Sequence, residues 1–491
     1  MAFALTARER RALALLVAVV VGVRLLTLPA YPLMDSTESR YAEIARKMLE
    51  SGDWVTPQFD YGVPFWGKPP LSTWLSAASM AVFGVNEFAA RLPSFLLLLG
   101  CGALVHALAV QRGGRDQGWW TLAPFAATGM VFVAAGAVMT DPALALGTTL
   151  SMAAFWIAVH GPAAARRASG IAFFLGLAVG LLAKGPVAAV LTFVPIGAWT
   201  LWTRQWRGVW VALPWLAGAL LTAVLVAPWY WAAERATPGF LDYFLAGEHW
   251  KRFVEQGWKG DLYGAAHARP RGMIWLFWIV AALPWSVTAL AWLTRAATRR
   301  HADLRRLGAD PWLLYLVLWA ATPMLFFTLS GNVLATYVLP GLPPFALLVG
   351  ELWRPAATGA GALRPAVRTV LVTGLILPVG FVAGIVALNH RFETELSHKA
   401  LVRSYDTLRG GPSERLIYVG QRPVSAEFYA RGKLVRVADP AALRPYLDDA
   451  PADFVVLRVR DLAALPDEIR SRLTPLGEFG EYRLFREKQP S

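Results

Sequence analysis

Long apolar runs limit what this chain can fold into. Runs of roughly 20 apolar residues recur along the sequence, and each is long enough to cross a bilayer as a helix that satisfies its own backbone hydrogen bonds. Hydrophobic residues make up 56% of the 491 residues and charged residues only 16%, which excludes an ordinary soluble protein. We predict a polytopic α-helical membrane protein with about 11–13 transmembrane helices. Eleven spans are predicted near residues 12–30, 90–111, 118–138, 142–160, 169–184, 187–203, 208–231, 272–294, 311–329, 333–352 and 369–388.

Arginines in alternate short loops predict the orientation. Arg8, Arg10 and Arg11 precede the first span, and pairs such as Arg166 and Arg167 recur in every second loop. By the positive-inside rule these ends face the cytoplasm. The N-terminus is then cytoplasmic, and the loops 31–89 and 232–271 face outward, which in a bacterium is the periplasmic side of the inner membrane. Segment 69–88 is predicted to be an interfacial helix, because its apolar part is short for a crossing.

The tail after residue 388 has a different pattern. Short strands are predicted at 416–419, 434–437, 454–457 and 481–485, with helices at 424–431, 440–447 and 462–473 between them. We therefore divide the chain into a transmembrane part, 1–388, and a periplasmic α/β domain, 389–491. The tail has no Gly-rich phosphate loop, so a stabilising or docking role is expected rather than catalysis.

The net charge of +14 does not indicate a nucleic-acid partner, because most of the arginines lie in short loops where they set orientation. A smaller set of cations falls on the outward side, where orientation does not require it, and this indicates an anionic substrate. These cations are Arg40, Lys68, Lys184, Lys251, Arg252, Lys259, Arg269 and Arg271.

Acidic residues are predicted on the same face. Asp35 and Glu38 lie in the charged stretch 31–74, and Asp141 lies between two spans joined by almost no loop. Ionisable groups at membrane depth are costly and commonly functional. Asp141 is either a helix cap before Pro142 or a further acidic group of the site. Lys184, at a similarly tight junction, either extends to the interface or holds a phosphate.

Two further segments carry candidate residues. In the loop EHWKRF, the pair Glu248 and His249 is a candidate for a divalent cation, zinc or magnesium, although two ligands are few for a metal site. Tyr337 lies in a span with three nearby prolines, which predicts a broken helix that lines a cavity. Tyr337 either contacts substrate or anchors the helix at the interface.

Several motifs occur in an order that resembles a known family. The blocks are DSTESRYAEIARKMLESGDWVTP, GKPP, EFAARLPS, MTDPAL, LLAKGP, EHWKRF and YVLPGLPP, from about residue 33 to 344. They resemble the bacterial lipid A aminoarabinose transferases, which are GT-C glycosyltransferases related to protein O-mannosyltransferases. The resemblance implies a GT-C fold and the transfer of a sugar from undecaprenyl phosphate to lipid A or another envelope lipid at the periplasmic face.

The resemblance also implies which residues matter. The family's motif residues fall on Arg40, Lys68, Asp141, Lys184, Glu248 and His249. Two positions depart from the aminoarabinose enzymes, because Thr37 and Gly67 stand where those enzymes usually have acidic residues.

A lipid-phosphate donor requires neutralisation of phosphate charge, for which Arg40, Lys68, Lys184 and Arg252 are suited. Asp35, Glu38 or Asp141 is expected to act in positioning or base catalysis. Two other classes remain open. One is GT-C transfer to a protein or polysaccharide intermediate, and the other is a lipid or sugar transporter, which the lack of internal repeats disfavours.

Overall fold

The computed structural model describes residues 3–298, 309–353, 363–420, 423–449 and 452–488. Helices form the body of the protein, and a mixed sheet lies near its C-terminus. The helices up to residue 395, apart from two single turns in the loop after α10, are α1 (Ala7–Leu26), α2 (Thr37–Ser51), α3 (Leu71–Phe83), α4 (Glu87–Ala126), α5 (Gly129–Ala134), α6 (Asp141–His160), α7 (Ala163–Lys184), α8 (Val187–Thr203), α9 (Trp206–Ala212), α10 (Trp215–Ala236), α11 (Met273–Ala281), α12 (Trp285–Thr298), α13 (Pro311–Thr328), α14 (Leu342–Leu352) and α15 (Pro365–Glu395). A π-helix, Tyr243–Lys251, and a 3₁₀-helix, Ala335–Gly341, complete this part.

Each of the eleven predicted spans contains helix, and the protein is a polytopic helical membrane protein. Seven helices of the described residues are long and apolar enough to cross a membrane, or eight if the bent pair α11 and α12 forms one span. This number of spans is smaller than the predicted 11–13, because some of the predicted spans form merged, short or charged helices. Helix α4 joins two predicted spans across Gly114, which is non-helical with φ of 82°. Helix α8 has only 17 residues, and α1 carries charges at both ends.

Glycines let α6 and α7 pack closely as an antiparallel pair. A Cβ atom at Gly147 would lie 2.5 Å from the backbone nitrogen of Gly180, and one at Gly176 would lie 2.6 Å from that of Ser151. Because α6 begins at Asp141 and α7 ends at Lys184, this packing brings those two side chains to the same end of the bundle.

Helix α2 lies outside the spanning helices, between the bundle and the tail. It packs against α3 on one side and against α17 (Val424–Tyr429) of the tail on another, with α16 (Lys399–Leu408) preceding α17. After α2, a short antiparallel pair forms from β1 (Gln58–Asp60) and β2 (Val63–Pro64). The predicted helix in segment 69–88 is present as α3, with 13 residues.

The tail contains a five-stranded sheet. Its strands are β3 (Leu416–Val419), β4 (Leu434–Val437), β5 (Phe454–Arg458), β6 (Leu473–Phe479) and β7 (Tyr482–Glu487), in the order β4-β3-β5-β7-β6. Strand β3 is parallel to β4 and β5, whereas β7 is antiparallel to β5 and β6. Between the strands lie a 3₁₀ turn (Pro440–Leu443) with α18 (Arg444–Leu447), and a second 3₁₀ turn (Val459–Ala464) with α19 (Asp467–Ser471).

All four predicted strands of the tail are present, but β6 was not predicted. We expected a helix as far as residue 473, whereas α19 ends at Ser471 and β6 begins two residues later. The ladder between β6 and β7 shifts register between Pro475 and Gly477. Proline and glycine interrupt the alternation by which strands are identified in sequences, so the pattern of β6 was obscured.

Candidate active site

A cavity of about 390 Å³ opens where the π-helix, the α7–α8 junction and the 3₁₀-helix meet. Three cationic side chains line it, those of Lys68, Lys184 and Arg252. The rest of the wall is largely apolar and includes Val187, Val190, Leu245, Phe253 and Phe326. Positive charge beside an apolar wall suits an amphiphile with an anionic head group.

Glu248 joins two of these cations. Lys68 Nζ lies 2.9 Å from Glu248 Oε2, and Arg252 Nη1 lies 3.0 Å from Glu248 Oε1. The Glu248 side chain is only 2% exposed. Burial by itself raises the pKa of Glu248, but the positive charges and hydrogen bonds of Lys68 and Arg252 outweigh it and lower the pKa to about 2. Arg252 also donates to Asp261 Oδ2 at 3.1 Å.

Asp141 and Lys184 form a second ion pair. Lys184 Nζ lies 2.6 Å from Asp141 Oδ1, both residues are buried, and the ammonium lies 4.1 Å from the centroid of the Tyr337 ring. Gly185 ends α7 with φ of 73°, and a Cβ atom there would lie 2.6 Å from the Phe244 ring. Glycine is therefore required at the turn that holds Lys184 against the π-helix. The prediction that Asp141 caps the helix is wrong, because Thr140 is the N-cap of α6 and no side-chain cap hydrogen bond forms there. The Asp141 carboxylate instead faces the cavity lysine, as the second reading predicted.

The predicted metal pair is not arranged as a metal site. Both nitrogens of His249 face backbone carbonyl oxygens, those of Phe244 at 2.8 Å and Lys184 at 3.1 Å. The oxygens of Glu248 accept hydrogen bonds from Lys68 and Arg252. Gly67 supplies no carboxylate, and the described parts of the chain hold no cluster of three His, Cys, Asp or Glu side chains suited to a metal. These residues do not fit a zinc or magnesium ion, and His249 instead fixes the π-helix to the end of α7.

Arg40 stands apart from both ion pairs. The Arg40 guanidinium lies beside the loop that follows Asp261, because a Cβ atom at Gly264 would be 3.5 Å from Arg40 Nη2. Arg40 Cζ also lies 5.9 Å from the centroid of the Phe59 ring. Arg40 Nε is buried without a hydrogen-bond partner, and no carboxylate within the described ranges forms an ion pair with this guanidinium.

Two of the three acidic candidates lie away from the cavity, contrary to our expectation. Asp35 Oδ1 accepts a hydrogen bond from the backbone of Ser425 at 2.8 Å, and Asp35 Oδ2 accepts one from the Ser425 hydroxyl, so Asp35 binds the tail. Glu38 accepts two hydrogen bonds from Arg91, at 2.8 and 2.9 Å. Arg91 is fully buried and also donates to three backbone carbonyls between 28 and 32. Both carboxylates therefore hold α2 in place, and Asp141 is the acidic candidate that faces the cavity cations.

Sequence reasoning missed two residues that shape the site. Asp261 pairs with Arg252, and Asn332 Nδ2 donates to the carbonyl oxygens of Arg252 and Glu255, both at 2.6 Å. Asn332 also lines the cavity. The only signal available was their polar character beside apolar segments, which many loop residues share.

Known proteins resemble this chain in sequence. Residues 13–244 match the family described as dolichyl-phosphate-mannose-protein mannosyltransferase. The chain is 30% identical to the undecaprenyl phosphate-alpha-4-amino-4-deoxy-L-arabinose arabinosyl transferase of Shewanella sediminis, over 67% of this chain and 57% of that protein. It is 33% identical to a Pseudomonas fluorescens protein of the same name, numbered 2, over 70% of this chain and 60% of that one. The chain thus spans less than two thirds of the length of these relatives.

A solved structure shows the same fold. The crystal structure of ArnT from Cupriavidus metallidurans bound to undecaprenyl phosphate superposes with a TM-score of 0.80 at 21% identity, covering 96% of this chain and 97% of that chain. The chain therefore has the fold of that membrane protein. In sequence, residues 13–244 are similar to the PMT family, and the chain is similar to the undecaprenyl-phosphate aminoarabinose transferases.

Proposed function

We propose that this protein is a glycosyltransferase that moves a sugar from undecaprenyl phosphate to lipid A or a related envelope lipid. The names of its relatives, and the ligand of the solved ArnT structure, support an undecaprenyl-phosphate donor with aminoarabinose as the leading sugar. The observation that carries the proposal is the cavity in which Lys68, Lys184 and Arg252 lie beside an apolar wall. The cations suit the donor phosphate and the apolar side suits the start of a polyprenyl chain.

The chemistry follows from the charges. When the bond between the sugar C1 and the donor phosphate oxygen breaks, the bonding electrons stay on that oxygen, and a lone pair of the acceptor oxygen forms the new bond to C1. Lys68 and Arg252 oppose the negative charge that develops on the departing phosphate. Asp141 fixes the ammonium of Lys184 at the cavity wall, and the Tyr337 ring covers that ammonium. The reaction then consists mainly of positioning and charge stabilisation.

We also propose that the cavity opens on the periplasmic side, as the distribution of arginines predicts. The N-terminus is then cytoplasmic, and the unit 389–491 is a periplasmic domain. Its contacts with α2 through Ser425 and α17 support a stabilising role rather than a catalytic one.

The experiment is a transfer assay with purified protein. The protein is incubated with extracted undecaprenyl-phosphate sugars and lipid A, and the lipid product is weighed by mass spectrometry. We expect lipid A to gain the mass of one sugar, and Lys68→Ala and Arg252→Ala to lower the rate at least tenfold. Arg235→Ala is the matched control, because it removes an exposed cation of the loop 232–271 that is not among the predicted substrate cations, and it should transfer normally. Absence of any sugar-bearing lipid from the wild-type reaction would refute the proposal.

A further inference from the structure

Tyr263 holds the segment that carries Lys68, although Tyr263 is not part of the cavity wall. The Tyr263 hydroxyl donates a hydrogen bond to the Pro64 carbonyl oxygen at 2.8 Å and accepts one from the Trp66 backbone nitrogen at 2.9 Å. Tyr263 is only 6% exposed. One hydroxyl therefore acts as both donor and acceptor toward the backbone that leads into Lys68.

Aromatic packing fixes the position of the Tyr263 ring. The ring centroids of Phe65 and Phe59 lie 4.7 and 5.1 Å from that of Tyr263. A Cβ atom at Gly67 would lie 3.5 Å from Cδ2 of Tyr263 and 3.0 Å from the Phe65 ring. The Tyr263 ring thus packs against the residue before Lys68, and this packing keeps the hydroxyl at the Lys68 segment.

The same short stretch of chain orients the other cation of the proposed donor site. Asp261 Oδ2 accepts a hydrogen bond from Arg252 Nη1 at 3.1 Å, and Asp261 Oδ1 accepts one from the Tyr263 backbone nitrogen at 2.9 Å. The Asp261 carboxylate thereby joins the Arg252 side chain to the backbone of Tyr263. Residues 261–263 consequently contact the supports of both cations.

Lys68 and Arg252 are therefore connected by two routes. The direct route is Glu248, whose carboxylate lies 2.9 Å from Lys68 Nζ and 3.0 Å from Arg252 Nη1. The second route runs from Arg252 through residues 261–263 to the backbone before Lys68. A phosphate that binds both cations draws them away from Glu248. The second route does not involve Glu248, so it can keep the spacing of the two cations when the phosphate is bound.

We propose that Tyr263 is a positioning residue for the donor phosphate, because it holds the Lys68 segment at a fixed distance from Arg252. This inference rests on the proposed function and deepens it at the donor site. Tyr263 acts through the backbone before Lys68, and it contributes no charge and transfers no proton. Cations that are already in place stabilise a developing phosphate charge without having to reorganise. If the segment moves freely, only a fraction of the protein is competent to bind, and the apparent Kd rises accordingly.

The test is a double-mutant cycle on donor binding. The Kd for undecaprenyl phosphate is measured with purified protein in detergent for wild type, Tyr263→Phe, Lys68→Ala and the double variant. Tyr263→Phe keeps the ring and removes the hydroxyl, so we expect it to raise the Kd about tenfold. In the Lys68→Ala background, the same substitution should change the Kd by less than about twofold, because the cation that Tyr263 positions is absent.

Tyr405→Phe is the matched control. Tyr405 is a buried tyrosine of the tail, and its hydroxyl donates to the Glu414 carbonyl oxygen at 2.7 Å. Its removal also deletes one buried hydroxyl, but at a position far along the chain from Lys68. Tyr405→Phe should leave the Kd for undecaprenyl phosphate unchanged in both backgrounds.

The outcomes separate this inference from the proposed function. If wild-type protein does not bind undecaprenyl phosphate, the proposed function fails and the positioning role fails with it. If wild type binds it and Tyr263→Phe binds it equally well, the positioning role is refuted while the function stands. An equal loss of affinity in the Lys68 and Lys68→Ala backgrounds also refutes the role, since it would show a general structural effect.

A measurement on the wild-type protein decides the question if Tyr263→Phe does not fold. The Trp66 amide donates to the Tyr263 hydroxyl, so its hydrogen exchange reports on this contact. We expect undecaprenyl phosphate to slow the exchange of the Trp66 amide and to leave the amides of strand β5 in the tail unchanged. Unchanged exchange at Trp66 in the presence of bound donor would overturn the proposal.

Discussion

Replacing Glu248 by glutamine tests whether this carboxylate occupies the donor-phosphate site when no donor is bound. Its pKa is lowered from 4.5 to about 2, which corresponds to about 3 kcal/mol of preferential stabilisation of the charged form. Because the folded-state pKa is depressed, this contribution is present above pH 4.5 and is lost as the pH falls toward 2. At neutral pH, Glu248→Gln should therefore lower the stability of the ligand-free protein by up to about 3 kcal/mol.

Binding of the donor should recover part of this loss. Without the Glu248 charge, Lys68 and Arg252 lack their main internal anion, and a phosphate can take its place. If about half of the lost energy returns on binding, undecaprenyl phosphate should bind the variant about tenfold more tightly than it binds wild type. The thermal shift that the ligand produces should then be larger in Glu248→Gln than in wild type.

The assay is thermal unfolding of the purified protein in detergent over a series of undecaprenyl phosphate concentrations. Glu255→Gln is the matched control, because Glu255 is an exposed carboxylate in the same loop, and it should change neither the stability nor the affinity. Weaker ligand binding by Glu248→Gln would refute the reasoning, since it would mean that Glu248 orients Lys68 and Arg252 for the phosphate rather than competing with it.

Two further predictions concern the other buried ion pairs. Lys184→Ala leaves Asp141 buried and unpaired and should destabilise the protein by about 3–5 kcal/mol in thermal unfolding. The double variant Lys184→Ala with Asp141→Ala should be more stable than Lys184→Ala alone, because it leaves no unpaired buried charge. A double variant less stable than the single one would contradict this prediction. Glu38→Gln removes the charge that pairs with Arg91, so it should lower the melting temperature of the protein while retaining measurable sugar transfer. Complete loss of transfer in a folded Glu38→Gln variant would show a direct catalytic role instead.

The sequence predicted those parts of the site that depend on local geometry. Asp141 begins a helix at a short junction and Lys184 ends one at a glycine turn, so their placement at the same end of the bundle followed from the order of the spans. The three cations of the cavity were found in the same way, because each falls at a span end or in an outward loop. The assignment to a helical membrane protein needed only the length and composition of the apolar runs.

The partners of Asp35 and Glu38 could not be predicted by this reasoning. Glu38 pairs with an arginine 53 positions away, and Asp35 binds a serine 390 positions away in the tail. A carboxylate in a charged loop has the same pattern in the sequence whether it faces a substrate or a structural partner. The distinction depends on long-range packing, which hydropathy and spacing do not contain.

These structural partners bear on Arg40. Helix α2 carries Arg40 and is held at its N-terminal end by Arg91 through Glu38, and by the tail through Asp35. On a later turn of α2, the buried Lys47 Nζ lies 3.6 Å from Glu427 Oε2 on α17. Because the tail and the bundle both fix α2, the position of Arg40 relative to the cavity depends on their contact. The close packing of the tail on α2 is thus consistent with a stabilising role, in which the tail fixes the helix that carries Arg40.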